Sequence, residues 1–571
     1  MNWKKYLPIL EWLPNYPKQQ LPADILAGIT IGVMVIPQGM AYGMLAGLPP
    51  IYGLYATLVP LFIYVLFGTS RQLVVGPTAM LCLLISSSIG GLAMRESAEY
   101  IGLVVMLSFV VGCLQLLFGV FRLGFFTNFL SHPILNGFIS AASIIIIGSQ
   151  LKNLFGIETE GAAHNLIEIG SNLGQYLSYW DPITFAIGLS AILFILVIKK
   201  INKAIPAPLL VLAISIGLMA YYEEQLPSVL IVGYIPKGLP SVSVPTFSLE
   251  NISLLAPGIL TITLIGILES ISIAKVMQAR HKDYELIPNQ ELRALGIANI
   301  IGSFFQAFPA AGSFSRTAVN DEFGAKSGIS SLVAAIVVGI TLLFLTPLFY
   351  YLPKTILAAI IIVAVLRLID FKEVVFLWKS DRLDCFMLLL TFFATLFIGI
   401  EQGILLGVFV SLLMVLYKTT RPHITILGKI PETPHYKNIE IVEDLIIRKD
   451  ILIIRPDAPL FFANIGYFKE RMEQEVAQKE AALKLIIFNA DCLPHLDSSA
   501  THVLRELIAQ YKAAGIMVYF TGISEEVYTI LKKSGVLALL GGSYLFEKEQ
   551  DAVGYFDKQV AKSMLKRRNV S

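Results

Sequence analysis

Apolar segments follow one another with few interruptions from Asp24 to about Tyr417. Most have close to the ~20 residues that a helix needs to cross the hydrocarbon core of a bilayer. Of all residues, 56% are hydrophobic and only 15% are charged, whereas soluble globular proteins carry about a quarter charged residues. Because this excess of apolar surface has to face lipid, the sequence predicts an all-α polytopic membrane protein.

The apolar segments predict fourteen membrane spans. They lie at 24–43, 51–68, 77–92, 100–121, 128–149, 182–198, 206–222, 256–278, 287–305, 313–325, 329–350, 353–368, 383–400 and 402–418. The short spans that begin at Pro77 and Ser313 are interpreted as half-helices entered from extended chain. The transmembrane domain is accordingly predicted at 24–420, after a cytoplasmic lead-in at 1–23.

The charges between the spans are unevenly distributed. With the N-terminus inside, most lysines and arginines fall in inner connections, and the outer connections carry only Arg95, Lys152, Lys237 and Lys354. This asymmetry is the one that the positive-inside rule describes. We therefore expect a multi-pass protein of the plasma (inner) membrane with both termini in the cytoplasm.

The composition changes at about Pro434, where charged residues become frequent. Short β-rich runs then alternate with helical patterns, which predicts a small cytoplasmic α/β domain at 434–560, followed by a basic tail at 561–571. The four cysteines show no metal-ligand spacing, and no Walker A pattern suggests ATP-driven pumping. No metal, cofactor or nucleic acid is expected, and the chain is not expected to be an enzyme.

Two stretches of the membrane region resemble each other weakly. In each, a helix ends near a glycine (Gly68 or Gly302) and a short β-like run leads to a new helix start. The two starts are Gly76-Pro77-Thr78 and Ala311-Gly312-Ser313. Interrupted segments at matching positions of two halves indicate a transporter binding site. Because each half has an odd number of spans, the sequence predicts a seven-plus-seven inverted repeat.

The two half-helix starts are candidate anion ligands. Thr78 in one half, and Ser313 with Ser315 in the other, place hydroxyls beside free helix N–H groups and positive dipole ends. If both helix N-termini meet at the bilayer midplane, they form an anion site. Ordinary helix capping and close helix packing are the alternatives.

Glu269 and Arg316 lie deep in apolar sequence. A charged group inside a membrane is costly, so both are candidate functional residues. Arg316 would supply positive charge behind the anion. Burial favours the protonated form of Glu269, and a carboxyl that binds a proton together with the anion would couple the two. A purely structural ion pair between them is the alternative.

Two further candidates lie on the first span. Gln38 and Tyr42 are four residues apart and share one helix face. An amide and a phenol can solvate an oxyanion; packing is the alternative for Tyr42. In the soluble domain, Asp497 is a predicted N-cap, and Ser498 is a candidate phosphorylation site at the same helix start. Capping alone is the alternative there.

Several motifs together resemble those of the SulP anion-transporter (sulfate permease) family. The run Pro37-Gln38-Gly39-Met40-Ala41-Tyr42 is similar to the family signature of the first helix. Gly76-Pro77-Thr78-Ala79, Glu269-Ser270 and Ser313-Phe314-Ser315-Arg316 follow in the family order. Asp497-Ser498-Ser499 resembles the strand–helix junction of a STAS domain, although Ala500 stands where glycine is common.

The resemblance implies a core domain that moves against a gate domain, a homodimer, and substrates among sulfate, bicarbonate, chloride and dicarboxylates. It places the substrate-binding residues at Gln38, Tyr42, Thr78, Ala79, Ser313, Phe314, Ser315 and Arg316. It also implies that Glu269 is the cation-coupling residue, and a glutamate there favours protons over sodium. A cytoplasmic protein could bind through the STAS domain.

The leading hypothesis is proton-coupled sulfate uptake by alternating access. Bicarbonate transport or anion exchange is the alternative within transport. An uncoupled anion channel, or a membrane sensor that signals through its STAS domain, is the alternative of another class.

Overall fold

The computed structural model describes residues 7–124, 132–157, 165–201, 206–479, 482–540 and 544–568. The chain forms two compact units, Met1–Ser411 and Leu412–Ser571. The start of the predicted span 128–149 lies outside the described residues.

The membrane region contains a helix at each of the fourteen predicted spans. In chain order its helices are α1 Ile9–Trp12, α2 Leu21–Leu45, α3 Pro50–Phe67, α4 Ala79–Ile89, α5 Ala98–Val120, α6 His132–Phe155, α7 Leu166–Tyr176, α8 Pro182–Ile201, α9 Ala207–Tyr222, α10 Leu249–Arg280, α11 Pro288–Phe304, α12 Phe314–Glu322, α13 Ile329–Ile340, α14 Lys354–Val365, α15 Phe371–Ser380, α16 Arg382–Phe397 and α17 Ile400–Thr420. Within the described ranges, eight helices are long and apolar enough to cross a membrane by length and composition.

Three differences from the predicted spans have a physical reason. The helices α7 and α15 were not predicted, because each is amphipathic and too short for a span. The span 329–350 is not one regular helix: α13 passes into a π-helical stretch, Thr341–Leu345, and a 3₁₀ turn, Thr346–Phe349. Pro347 lies there and has no N–H for the regular ladder.

The two halves of the membrane unit meet at a two-stranded ribbon. Strand β1 (Val75–Gly76) leads into α4, and β2 (Ala311–Gly312) leads into α12. The strands are antiparallel, and Gly76 pairs with Ala311. Gly76 and Ala311 are the first residues of the matching motifs of the two halves. Each therefore pairs with the residue at the corresponding position of the other repeat. Such pairing is what a pseudo-two-fold axis between inverted repeats requires.

The second unit contains a six-stranded sheet. Its strands are β3 Ile424–Lys429, β4 Tyr436–Asn438, β5 Ile451–Pro456, β6 Leu485–Asn489, β7 Met517–Thr521 and β8 Leu545–Phe546, and its helices are α18 Ile465–Gln478, α19 Ser498–Ala513, α20 Glu525–Lys533, α21 Val536–Leu540 and α22 Glu549–Arg568. The strand order is β4-β3-β5-β6-β7-β8. Strands β5 to β8 are parallel, and β3 is antiparallel to both of its neighbours.

Alternating side chains of the central strands build two apolar layers. Leu452 and Ile454 pack with α18 to α21 on one face, and Ile451 and Ile453 pack with α22 on the other. The sheet begins at Ile424, before the predicted domain start at 434, because β3 follows the last membrane helix almost directly. Likewise, α22 continues to Arg568 through most of the predicted tail 561–571.

Candidate anion-binding site

The starts of the two half-helices lie side by side. Thr78 and Ser313 are the N-cap residues of α4 and α12, and both have extended backbones. The Ser313 amide donates to the Val74 carbonyl oxygen at 3.1 Å, which extends the ribbon contact up to the helix start. The first amides of each helix have no intrahelical acceptor. The ribbon therefore brings two positive helix ends to one place, as the sequence predicted.

The Thr78 hydroxyl connects the first half-helix to Glu269 on α10. It donates to Oε2 of Glu269 at 3.1 Å and accepts a longer bond, 3.4 Å, from the Leu81 amide. Thr78 is buried, whereas Glu269 is only partly buried. An anion bound at this helix start would compete with the carboxylate for the same donor.

Arg316 is fully buried behind the two helix starts. Its Nη2 donates to the Pro77 carbonyl oxygen at 2.5 Å, which joins α12 to the segment before α4. A Cβ on Gly76 would lie 2.7 Å from Nη1 of Arg316, so any larger residue there would have to displace the guanidinium. The buried Nε of Arg316 has no protein acceptor in the described chain. Buried donors are nearly always paired, so this group favours a ligand.

The alternative of a structural ion pair between Glu269 and Arg316 is not what the geometry shows. Among the described residues no ion pair joins them; Glu269 accepts from Thr78, and Arg316 donates to Pro77. The two charges are still within Coulombic reach of each other. Each charge is thus hydrogen-bonded next to the start of α4, Glu269 through Thr78 and Arg316 through Pro77.

The first membrane helix closes one wall of this site. Gln38 and Tyr42 are both buried on α2, and the Tyr42 phenol is within electrostatic range of Arg316 and Glu269. The structure therefore brings Tyr42, Thr78, Glu269 and Arg316 together. For Gln38 it shows burial on the same helix face and no hydrogen bond among the described contacts.

The remaining predicted residues divide into buried and exposed groups. Ser313 is buried, and its hydroxyl lies 3.4 Å from that of Ser315 without capping the helix. Ala79 is buried at the first position of α4. Ser315 is exposed, and the Phe314 side chain is 51% exposed, so both face open space beside the helix start.

Polar side chains that the sequence analysis missed hold the second strand in place. The Gly312 amide donates to Oγ of Ser270 at 2.7 Å. The Asn299 amide group donates to the Ala310 carbonyl at 3.1 Å and accepts from the Ala310 amide at 2.8 Å. It also donates to Gln115 at 2.8 Å. Asn299 and Gln115 are polar residues inside apolar runs, so the argument that identified Glu269 would have found them.

Buried carboxylates fix two loops that precede or follow the site. Glu291 in the first turn of α11 is fully buried. It accepts from the Tyr64 hydroxyl (2.5 Å), from the amide and hydroxyl of Thr69 (2.6 Å each) and from the Ser70 amide (3.2 Å). Asp24 in α2 similarly accepts from the Ser327 hydroxyl at 2.7 Å. Both lie near span ends, and the sequence analysis had not identified either of them as a candidate residue.

The helix start in the second unit is capped as expected. Asp497 accepts from the Ala500 amide at 2.7 Å and from the Phe462 amide at 2.8 Å. Ser498 is exposed and is the first residue of α19. The geometry accounts for Asp497 as the cap and leaves phosphorylation of Ser498 a prediction.

Helices at the fourteen predicted spans, in two inverted halves whose half-helix N-termini meet beside a buried arginine, define an anion transporter rather than an enzyme. The family model "Sulfate permease family" matches residues 21–391, and the model "STAS domain" matches 444–552. The chain belongs to the sulfate permease family.

Individual relatives agree with this assignment. The chain is 39% identical over 583 residues to "Sulfate transporter 4.1, chloroplastic" of Arabidopsis thaliana, covering 99% of this chain and 84% of that one. It is 33% identical to "High affinity sulfate transporter 1" of Stylosanthes hamata, covering 97% and 86%. Murine Solute Carrier 26 family member A9, an anion transporter solved in the inward-facing state, matches with 25% identity and a TM-score of 0.89, covering 96% and 94%. The predicted family, fold and anion-transporter class are confirmed.

Proposed function

We propose that this protein takes up sulfate together with protons by alternating access. The observation that carries the proposal is the 3.1 Å hydrogen bond from the Thr78 hydroxyl to the Glu269 carboxylate at a half-helix start. The buried positive group behind it, Arg316, has an Nε without a protein partner. The site thus contains an anion-binding element and a proton-binding element that share one donor.

Coupling follows from this competition. When Glu269 is ionised, its charge repels a dianion and its oxygen occupies the Thr78 hydroxyl. When Glu269 takes up a proton, the repulsion is removed and the hydroxyl becomes available to the anion. Proton and sulfate therefore favour each other's binding, and the effect is reciprocal by thermodynamic linkage. A channel would not need such an element.

The choice of sulfate is supported by chemistry and by relatives. Helix amides, hydroxyls and one guanidinium suit a tetrahedral oxyanion. The relatives that cover nearly the whole chain carry the name sulfate transporter. Bicarbonate transport or anion exchange stays the alternative that the experiment below separates.

The remaining aspects of the proposal concern movement, membrane and assembly. The half-helices, with α2, α3, α5, α10, α11 and α13, would form the core domain that moves against a gate domain made of the other spans. The asymmetry of the loop charges supports cytoplasmic termini, and we place the chain in the plasma (inner) membrane as part of the same proposal. The family resemblance supports a homodimer, which size-exclusion chromatography with light scattering would test. A cytoplasmic protein partner for the STAS domain is also proposed on that resemblance.

Sulfate uptake into proteoliposomes, with the membrane potential clamped at zero, tests the proposal. A gradient of one pH unit is worth about 1.4 kcal/mol per proton, so each coupled proton would give about tenfold sulfate accumulation. The variant Glu269→Gln should equilibrate sulfate without accumulating it. Glu250→Gln, an exposed glutamate on the same helix, is the matched control and should behave like the parent.

Three results would contradict the proposal in different ways. Uptake that is indifferent to the proton gradient removes the coupling. Labelled bicarbonate taken up in preference to sulfate, or strict dependence on an internal counter-anion, favours the alternatives within transport. Anion current in the Glu269→Gln variant equal to that of the parent favours a channel.

A further inference from the structure

A cavity lies on the predicted outer side of the candidate anion-binding site. Its volume is about 60 Å³, and its walls include Ser86, Arg95, Gln150 and Lys152. About 10–15 Å³ of such space holds one water, so this cavity has room for about four to six waters, which is enough for the four oxygens of a tetrahedral oxyanion. No residue of the central site lines it.

The cavity lies along the same helix face as the central site. Thr78, Cys82 and Ser86 are spaced by four residues and share one face of α4. With a rise of 1.5 Å per residue, Ser86 lies about 12 Å from Thr78 towards the other end of the helix. Cys82 lies between them and is buried. The cavity is thus displaced from Thr78 along α4, towards the predicted outer surface.

Cations converge on this cavity although the outer connections contain few of them. Arg95 donates through Nη2 to Oγ of Ser86 at 2.7 Å, so its guanidinium is at the cavity wall. Lys152 on α6 is partly buried, and the charges of Arg95 and Lys354 both act on it. Three of the four cations predicted for the outer connections therefore share one region. Like charges held together in a partly buried place create a potential that attracts anions.

Neutral donors complete the lining. Gln150 is buried on α6; its amide oxygen accepts from Asn153 at 3.1 Å, and its Nε2 lies 3.3 Å from the Ser149 hydroxyl. Amides and hydroxyls beside a guanidinium and an ammonium are the groups that bind sulfate or phosphate. A larger cavity of about 520 Å³, lined by Lys354 and Tyr234, shares Met44 with the smaller one.

Residues of both moving domains line the cavity. Ser86 on α4 and Arg95 between α4 and α5 belong to the core domain of the proposed mechanism, whereas Gln150 and Lys152 belong to α6, which falls in its gate domain. A movement of the core against the gate would change the distance between Arg95 and Lys152. In the proposed mechanism, this movement would open and close the cavity.

From these observations we infer that Arg95 and Lys152 form an outer capture site for a divalent tetrahedral oxyanion, through which the anion passes on its way to Thr78. The identity of the anion as sulfate rests on the proposed function. Capture from the outside would raise the local anion concentration and depend on ionic strength.

Oriented proteoliposomes and labelled sulfate test the inference with the full chain. The double variant Arg95→Gln/Lys152→Gln should raise the external KM about tenfold, leave the maximal rate within about twofold and leave the KM for sulfate presented from the inside unchanged. Its external KM should also depend less on salt than that of the parent. Lys237→Gln, an exposed lysine of the outer connections, is the matched control. An external KM equal to that of the control, or equal increases on both sides, would overturn the inference.

A binding measurement separates this inference from the proposed function. Sulfate bound to the purified chain raises its unfolding temperature. The Arg316→Ala variant lacks the central guanidinium. The sulfate-dependent rise in unfolding temperature that remains in this variant is therefore expected to come from the outer site. It should disappear in the triple variant Arg95→Gln/Lys152→Gln/Arg316→Ala. If the parent chain binds sulfate but does not transport it, the proposed function is refuted and the outer site is not. If the sulfate-dependent rise in unfolding temperature persists in the triple variant, the outer site is refuted and the proposed function is not.

Discussion

Replacing Thr78 with valine removes one hydroxyl and keeps the volume of this buried position nearly constant. The hydroxyl donates to Glu269 at 3.1 Å and accepts from the Leu81 amide at 3.4 Å. A hydrogen bond to a charged group contributes about 1.5–3 kcal/mol, and 3.1 Å is near the long end of the usual range. We therefore assign this bond a value of about 1.5 kcal/mol, all of which stabilises the ionised form of Glu269.

Two consequences follow for transport. An ionised carboxylate that loses a donor binds its proton more tightly, so the protonated form persists to higher pH. Because about 1.4 kcal/mol corresponds to one pH unit, the pH of half-maximal sulfate uptake should rise by about one unit. The anion also loses a donor, so the KM for sulfate measured at low pH should rise about tenfold.

The assay is initial uptake of labelled sulfate into proteoliposomes at a series of pH values, with equal pH on both sides. Ser313→Ala is the matched control, because its hydroxyl makes no capping bond and lies near Ser315 rather than near a carboxylate. It should raise the KM without moving the pH profile. A Thr78→Val profile that stays at the parental pH, or moves to lower pH, would refute the proposed competition between the carboxylate and the anion.

Two further predictions concern buried charges. Glu291→Ala leaves the Tyr64 hydroxyl and three donors of Thr69 and Ser70 unpaired. Each unpaired buried donor costs about 1–3 kcal/mol, so the variant should lose most of its thermal stability in detergent. Glu291→Gln keeps an acceptor and should lose less. Equal unfolding temperatures for the two variants would contradict this reasoning. Arg316→Ala should weaken sulfate binding more than tenfold. Arg316→Lys should restore only part of the affinity, because an ammonium lacks the planar donors of a guanidinium. If titration calorimetry shows that Arg316→Ala binds sulfate with the affinity of the parent, Arg316 is structural.

Much of the membrane unit was predictable from the chain alone. The fourteen segments were identifiable because each helix has to present about 20 apolar residues, or a shorter run where it enters from extended chain, to a uniform hydrocarbon layer. The half-helix starts at Thr78 and Ser313 were identifiable because glycine, proline and hydroxyl residues interrupt apolar sequence at corresponding positions of two halves. The apolar segments and the half-helix starts are both local patterns. They depend on the surrounding lipid or water and not on which helices pack against them.

Other features depend on which side chains meet across the fold. That the Thr78 hydroxyl faces Glu269, nearly two hundred residues away in sequence, follows only from the packing of α4 against α10. The same holds for Arg316, whose partner proved to be the Pro77 carbonyl instead of the Glu269 carboxylate. The amphipathic helices α7 and α15 also required the structure, because a short half-apolar helix has no signal that separates it from a loop in a membrane protein.

The sequence by itself therefore determined that this chain spans a membrane in two related halves, and that two helix starts interrupt its apolar segments at matching positions. Hydrophobicity, loop charge and residue type at a helix start act locally, so they can be read along the chain. Only the tertiary structure decided which donor each carboxylate takes, where Arg316 points, and that Arg95 and Lys152 share a cavity. Those are contacts between distant segments, and the strength of an electrostatic interaction depends on distances of a few ångströms that no spacing in the sequence specifies.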